Sequence, residues 1–267
     1  MGLDQVAKIF GSNEMPVLLL GGQGSAYRSG NIILKPTNDK VESEELANLV
    51  SSVVSSRELR IPRPIKSINN NWIEENYVAW EFLEGKEIGL RYEQKIQICE
   101  EFSQIFKNIG KPSFIELRND PWSIADRVTW EEKNKQYDAR FQKMINQIKS
   151  KLKPIRLNSQ IIHGDIARNI IFSKEYAPGV IDLTIYWRPK DYAKALLIVD
   201  AITWENTDTN IYKFVKDLPE INQLLLRAGL RRLIENPEHI EHFGKDIHKA
   251  LFESKKYFNT LKLLKLL

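Results

Sequence analysis

Residues 161–182, IIHGDIARNIIFSKEYAPGVID, decide how the rest of the chain is interpreted. Two apolar runs end in polar turns, and a third runs directly into Asp182. Asp165, Asn169 and Asp182 therefore follow strand-like segments and can converge on one point. Two carboxylates and one amide oxygen suit Mg²⁺ together with one general base. The alternative is that Asp165 and Asn169 are ordinary turn residues.

The composition is that of a globular chain with a real core. It has 267 residues and 42% hydrophobic content, enough for one large domain or two small ones. The basic residues behind the net charge of +4 are spread out, which argues against a nucleic-acid partner and suits a nucleotide. Cys99 is the single cysteine, so we expect no disulfide and a cytoplasmic location. No signal peptide or membrane-length apolar run is visible, so we expect no membrane partner.

The first third of the chain alternates between short apolar runs and turns. This pattern predicts one helix, at 41–55, and five strands, at 17–20, 26–29, 32–36, 65–68 and 72–82. From residue 91 the spacing becomes helical, with helices predicted at 91–109, 130–152, 192–204, 222–234 and 239–267. The composition changes at 81–86, which we interpret as the domain boundary.

A glycine-rich turn, Gly21-Gly22-Gln23-Gly24-Ser25, follows the first predicted strand. Glycines let backbone N–H groups approach a ligand closely, and phosphate is the usual guest of such a turn. A glycine turn between two strands is also a common hairpin device. Both interpretations stay open on the residues alone.

Lys35 ends the apolar run of the third predicted strand. A lysine there is costly unless it is paired or points to an anion. Helical geometry makes Glu42 the acid of the next helix best placed to pair with it, and Glu45 the second. The plainer alternative is that the acids of this helix simply favour its N-terminus.

Taken in order, these features resemble the protein-kinase-like fold. They are GGQGSAYRSG, the lysine of LKP, a helix glutamate, the crossover FLEG at 82–85, and then HGD, an asparagine and ID. They are most similar to the aminoglycoside phosphotransferase and choline kinase branch. Within it, IDLTIYWRP adds a likeness to a bacterial phosphotransferase-like family. The resemblance implies an α+β fold of two lobes. Residues 1–82 would form a small, antiparallel, five-stranded lobe, and 83–267 a mainly helical lobe.

The resemblance also implies a reaction and a set of site residues. ATP or GTP with Mg²⁺ would phosphorylate a hydroxyl of a small-molecule acceptor. Asp165 would be the catalytic base, while Asn169 and Asp182 would hold the metal. The nucleotide-binding residues would be Gly22, Gly24 and Ser25 on the phosphates, Lys35 held by Glu42, and the backbone of Glu81, Phe82 and Leu83 on the base. His163 would brace the loop rather than act as a base, whereas Arg168 could touch the phosphate or face solvent.

One departure keeps other functions open. Most members of that branch place five steps between the loop aspartate and the asparagine, whereas Asp165 and Asn169 are four apart. A nucleotide-binding regulatory protein with altered catalysis is therefore the alternative to a kinase. A kinase of protein substrates is disfavoured because no Ala-Pro-Glu segment follows Asp182. The acceptor is not identified, although four acids could line an acidic pocket or be solvated: Glu116, Asp120, Asp126 and Glu205.

Overall fold

The computed structural model describes residues 1–19, 24–205 and 207–267. Its α-helices in these ranges are α1 (Leu3–Ile9), α2 (Lys40–Ser52), α3 (Tyr92–Ile105), α4 (Phe114–Leu117), α5 (Pro121–Thr129), α6 (Ala139–Lys149), α7 (Tyr192–Trp204), α8 (Ile221–Phe243) and α9 (Ile247–Leu263). Its strands are β1 (Val17–Leu18), β2 (Tyr27–Ser29), β3 (Ile32–Pro36), β4 (Pro64–Ile65), β5 (Ile73–Glu74), β6 (Tyr77–Glu81), β7 (Lys86–Glu87), β8 (Ser159–His163), β9 (Ile170–Phe172), β10 (Gly179–Val180) and β11 (Ile185–Pro189). No helix in the described ranges is long and apolar enough to cross a membrane.

The chain divides into two compact units. The first contains 1–88, 112–116 and 170–183, and the second contains 89–111, 117–169 and 184–267. The lobe division at residue 82 assigns 112–116 and 170–183 to the carboxy-terminal part, whereas both segments pack with the first unit. The segment 170–183 packs with the first unit because its strand β9 pairs with β7 and with β10.

The main sheet of the first unit is antiparallel and runs in the order β1-β2-β3-β6-β4, with β5 paired to β6. It therefore has six strands where five were predicted. The run at 72–82 is not one strand, because Glu75 and Asn76 both take positive φ angles, of 48° and 64°, and turn the chain into a β5–β6 hairpin. Nothing in the alternation of apolar residues announced this turn.

The first unit also contains helix α1, which precedes β1, and helix α2, which lies between β3 and β4 in the sequence. Helix α1 was not predicted, and its Val6 and Ala7 lie in one buried cluster with Ile32, Leu34 and Ala79 of the sheet. The predicted helix 41–55 is found as α2, which Asp39 caps by accepting the Glu42 N–H. It ends at Ser52 instead of 55, and Val54, which lies beyond that end, is 78% exposed.

The second unit is mainly helical and contains one two-stranded sheet, in which β8 and β11 pair antiparallel with His163 opposite Ile185. Helix α7 has the predicted bounds and is buried along almost its whole length, as its apolar sequence requires. The helix predicted at 130–152 is shorter, because α6 begins only after Asp138, whose side chain caps it.

Helix α8 runs through Pro237 to Phe243, past residue 234, where the first of two predicted helices ended, and past 239, where the second began. A proline lacks the N–H that would bond the carbonyl four residues earlier, here that of Leu233. The hydroxyl of Ser254, a buried residue of α9, donates to that carbonyl at 3.1 Å. The helix therefore continues through the proline and ends at Gly244, which takes a left-handed φ of 64°.

Candidate functional site

The predicted site residues fall into two groups, one in each unit. The first unit carries the residues predicted to bind nucleotide, together with Asp182. The second unit carries Asp165 and Asn169. Each group is described by itself.

Strand β3 presents Lys35 on the face opposite the buried Leu34. Its ammonium lies 2.7 Å from Oδ1 of Asp182, and the two side chains are 32% and 61% exposed. An ion pair this exposed is screened by water and contributes about 0–1 kcal/mol to stability. The contact therefore matters mainly for where it holds two opposite charges. The sequence analysis did not anticipate it.

Asp182 follows β10 by two residues and has a φ of 53°, in the left-handed region. The chain that leads into Asp182 is held by two backbone hydrogen bonds. The Val180 N–H donates to the Arg60 carbonyl, and the Arg60 N–H donates to the Pro178 carbonyl. A non-glycine residue in this conformation costs about 1–3 kcal/mol and is concentrated at functional positions in proteins. The backbone at Asp182 is thus held in an uncommon conformation beside a charged partner.

The acids of α2 differ in their surroundings. Glu42 is half-buried in the first turn, and its pairing with Lys35 stays a prediction. Glu45, the second choice, instead accepts hydrogen bonds from the Ser113 hydroxyl and, at 3.2 Å, from the Phe114 N–H. Glu44 is exposed.

Two of the predicted nucleotide-binding segments can be located in part. Gly22 lies outside the described residues, while Gly24 takes a left-handed φ of 65° and precedes Ser25. In the segment predicted to bind the base, the Glu81 N–H donates to the Arg63 carbonyl and the Phe82 N–H to the Asn31 carbonyl. In the described ranges no hydrogen-bond partner is found for the Leu83 N–H, and the binding of a base by this segment stays a prediction.

Asp165 lies two residues after β8, at the start of a tight loop. Its backbone N–H donates to Nδ1 of His163 at 3.1 Å, and the Gly164 N–H donates to the Thr184 carbonyl. Because Nδ1 accepts, the ring carries its proton on Nε2. His163 is fully buried and edge-on to Phe102. The histidine thus has the bracing contact that the sequence analysis expected of it.

The carboxylate of Asp165 is 50% exposed and lies 2.6 Å from Nη2 of Arg232 through Oδ1. Partial burial raises the pKa of this carboxyl, but the guanidinium of Arg232 outweighs it, with a smaller contribution from Arg231. The pKa of Asp165 therefore lies below its usual value. No residue of the described ranges hydrogen-bonds its other oxygen, Oδ2.

Asn169 closes the loop. Its Nδ2 donates to the Asp165 carbonyl at 2.6 Å, and its N–H donates to the Ile166 carbonyl at 3.1 Å. A carbonyl can only accept, so this contact fixes which end of the amide faces it and turns Oδ1 away. The four-step loop therefore closes as a turn and presents an amide oxygen, the donor type that Mg²⁺ takes.

Two further cations hold the loop backbone. The ammonium of Lys95, on α3, is fully buried and donates to the Ala167 carbonyl at 3.0 Å. Arg231, on α8, donates to the Gly164 carbonyl at 3.1 Å. Arg168 is exposed. The loop is thus fixed at three points by side chains that the sequence analysis missed: Lys95, Arg231 and Arg232.

A signal for these residues exists in the sequence. Arg231 and Arg232 interrupt an apolar stretch of α8, and Asp200 is the lone acid of the apolar helix α7. Charges at such positions are almost never buried unless paired, so they could have been assigned to one buried network.

Three of the four acids considered for a pocket have partners inside the second unit. Asp120 lies 2.9 Å from Arg118, Asp126 lies 2.6 Å from Arg188, and Glu205 accepts the Tyr92 hydroxyl at 2.6 Å. The charges of Asp120 and Asp126 are thus neutralised by arginines, whereas Glu205 is held by a neutral hydroxyl. Among the described residues, no group of three histidine, cysteine, aspartate or glutamate side chains is arranged to hold a metal ion.

The sequence matches no protein-family model and no curated protein. Solved structures share its fold. Spectinomycin phosphotransferase APH(9)-Ia, in complex with ADP and spectinomycin, aligns with a TM-score of 0.64 and 15% identity over 99% of this chain and 98% of that one. Choline kinase LicA from Streptococcus pneumoniae aligns at 0.63 and 12% identity over 97% of each chain. The GDP complex of aminoglycoside 2'-phosphotransferase-IIIa aligns at 0.59 and 12% identity, over 94% and 93%. The α+β, protein-kinase-like fold is therefore confirmed.

Proposed function

We propose that the chain is a phosphotransferase that uses ATP and Mg²⁺ to phosphorylate a hydroxyl of a small molecule. The observation that carries the proposal is the state of Asp165, whose Oδ1 is bound by Arg232 while Oδ2 has no partner in the described ranges. A carboxylate fixed in this way is suited to orient a hydroxyl and accept its proton. Structures that share the fold support the same kind of reaction. They include a choline kinase and a spectinomycin phosphotransferase in complex with ADP and spectinomycin.

In the proposed reaction, Asp165 accepts the hydroxyl proton through Oδ2 as the hydroxyl oxygen bonds to the γ-phosphorus. The bond from that phosphorus to the β–γ bridging oxygen breaks, and ADP leaves with its electron pair. Phosphoryl transfer depends mostly on positioning and charge neutralisation, so a base of low basicity is sufficient. The lowered pKa of Asp165 keeps it ionised at neutral pH.

The first unit supplies the nucleotide-binding groups. Lys35 binds the α/β-phosphates, with Glu42 as its predicted partner. Backbone amides at Gly22, Gly24 and Ser25 cover the phosphates, and the segment 81–83 takes the base through the Leu83 N–H.

Asp182 and Asn169 are the proposed metal ligands, and their donor set fits. Both offer the hard oxygen atoms that Mg²⁺ prefers, and the Nδ2 contact of Asn169 turns its Oδ1 away from the Asp165 carbonyl. When bound, the metal would neutralise phosphate charge.

The second candidate is a nucleotide-binding regulatory protein with altered catalysis. The observation that favours it is the four-step spacing from Asp165 to Asn169, one less than most relatives have. Both candidates require nucleotide binding, and only the first requires turnover.

The experiment is a screen for ADP release from Mg-ATP and Mg-GTP. The acceptors are choline, spectinomycin, hygromycin B and a panel of metabolites. Asp165→Asn is the control. Turnover should fall by roughly 10²–10⁴-fold in this variant, with Mg-ATP affinity in isothermal titration unchanged. Equal turnover of Asp165→Asn and wild type would contradict the catalytic role of Asp165. Tight Mg-ATP binding with no turnover on any acceptor would favour the regulatory protein.

A further inference from the structure

Arg232 holds three carboxylates with one guanidinium. Nη2 lies 2.6 Å from Oδ1 of Asp165 and 2.6 Å from Oδ2 of Asp200, while Nε donates to Oδ1 of Asp200 at 3.1 Å. Nη1 lies 3.1 Å from Glu235, one turn further along α8. The planar fork of an arginine permits such simultaneous contacts, which an ammonium cannot reproduce.

The three carboxylates differ in exposure. The side chains of Asp200 and Glu235 are 12% and 7% exposed, whereas that of Asp165 is 50% exposed. Arg232 is itself 7% exposed. The two buried acids therefore fix the guanidinium, and the fixed guanidinium in turn determines where the more exposed partner, Asp165, can lie.

We propose that Arg232 is a positioning residue for Asp165, which it holds by Oδ1 so that Oδ2 receives the acceptor hydroxyl. This inference rests on the phosphotransferase function proposed above. Its scope is the orientation of one side chain, because other groups hold the loop backbone: His163 at the Asp165 N–H, Arg231 at the Gly164 carbonyl and Lys95 at the Ala167 carbonyl.

The inference is testable because different groups hold the loop backbone and the Asp165 side chain. Removal of the guanidinium should leave the loop backbone braced and free only the Asp165 carboxylate. A reacting group displaced by about 1 Å loses rate on the order of 10²-fold, while binding groups elsewhere are unaffected. The expected signature is thus a lowered kcat with unchanged affinity for Mg-ATP.

The variants are designed around charge balance. Arg232→Gln alone leaves Asp200 buried without its arginine and Glu235 with Arg231 only, which is destabilising. The double variant Arg232→Gln/Asp200→Asn removes one charge of each sign. Asp200→Asn alone retains the Arg232–Asp165 contact, so the comparison of these two isolates the guanidinium. Arg232→Lys keeps the charge and loses the fork.

The matched control is Arg227→Gln on the same helix. Arg227 is 4% exposed and donates to the carbonyls of Gln223 and Lys153, and it does not contact the 164–169 loop. This variant loses a buried arginine without loss of the proposed positioning contact.

The measurements are ADP release from Mg-ATP with choline, spectinomycin, hygromycin B or water as acceptor, Mg-ATP titration calorimetry, and the χ1 rotamer of Asp165 from NMR couplings. We expect kcat of the double variant and of Arg232→Lys to fall on the order of 10²-fold relative to Asp200→Asn, with Mg-ATP affinity unchanged. Asp165 should populate one rotamer in Asp200→Asn and several in the double variant. Arg227→Gln should match wild type in kcat.

The inference is overturned if the double variant keeps the kcat of Asp200→Asn, if its Asp165 keeps one rotamer, or if Arg227→Gln loses as much kcat. These results leave an active wild-type enzyme, so the proposed function survives them. A wild-type protein that releases no ADP with any acceptor overturns the proposed function, and the inference with it.

Discussion

The ring of Tyr186 occupies the space that a side chain at Gly164 would need. A Cβ on Gly164 would lie 2.2 Å from Cδ2 of Tyr186, far inside van der Waals contact. The ring cannot easily yield, because it is buried between the guanidinium groups of Arg118 and Arg231, whose carbons lie 4.9 and 4.2 Å from its centroid. The same burial raises the pKa of Tyr186 to about 12. The residue before Asp165 is thus restricted to glycine by close packing.

Gly164→Ala should therefore destabilise the protein and displace Asp165. Overpacking of a buried site costs about 1–3 kcal/mol, and we expect a loss of this size in urea unfolding, with reduced turnover. Gly110→Ala is the control, since no atom lies within 4 Å of a Cβ there and its stability should stay near that of wild type. Equal stability of the two variants would contradict the packing argument.

Ser254→Ala should reveal what allows a proline inside α8. The variant leaves the Leu233 carbonyl buried without a donor, because Pro237 has no N–H to offer. An unsatisfied buried acceptor costs about 1–3 kcal/mol of the free energy of unfolding. Ser150→Ala, which removes an exposed hydroxyl bonded to the Gln147 carbonyl, should change stability little. A variant Ser254→Ala as stable as Ser150→Ala would show that the carbonyl has another partner.

Two properties of Asp182, its charge and its left-handed backbone conformation, can be tested with separate variants. Asn tolerates the left-handed φ of 53° about as well as Asp, whereas Ala does not. Asp182→Asn should change stability by less than about 1 kcal/mol, since its ion pair with Lys35 is exposed. Asp182→Ala should be less stable than Asp182→Asn in thermal unfolding. Both should bind Mg-ATP more weakly in titration calorimetry, and wild-type affinity of either would argue against the metal role.

Glu100 should make stability depend on pH in the acid range. Burial raises the pKa of Glu100, but the ammonium groups of Lys190 and Lys194, at 2.8 and 2.7 Å, lower it from 4.5 to about 2. Because the folded-state value is depressed, the stabilisation is complete above about pH 4.5 and is lost as pH falls through about 2. Glu100→Gln should be less stable than wild type at pH 7, and the two unfolding curves should converge toward pH 2. A difference that does not change with pH would contradict this assignment.

Sequence periodicity located what depends on local pattern. The bounds of α7 follow from a nearly continuous apolar run, and Asp165 and Asp182 follow short strands, as expected. What it missed depends on contacts distant in sequence. The continuation of α8 through Pro237, beyond the predicted end at 234, leaves the Leu233 carbonyl to be satisfied by Ser254. The strand break at Glu75 and Asn76 depends on positive φ angles, which the alternation of apolar residues around them did not predict.

The candidate site shows the same limit. Asp165 could be identified from its motif, but its partner Arg232 lies 67 residues away on another element. The partner of Lys35 in the described structure, Asp182, is 147 residues away. Spacing within a helix could suggest Glu42 as the partner of Lys35. It could not suggest Asp182, because the position of Asp182 depends on how distant strands pair.

The shared guanidinium of Arg232 also restricts how this protein can evolve. Asp200 and Glu235 are buried against it, and the loss of Arg232 alone leaves Asp200 in the interior without its arginine. Single substitutions of Arg232 should therefore be eliminated by selection, so that descendants lose this arginine only together with a change at Asp200. Tyr257 of the carboxy-terminal helix, which donates to Asp200, belongs to the same group. Among homologous sequences, positions 200, 232, 235 and 257 should vary together.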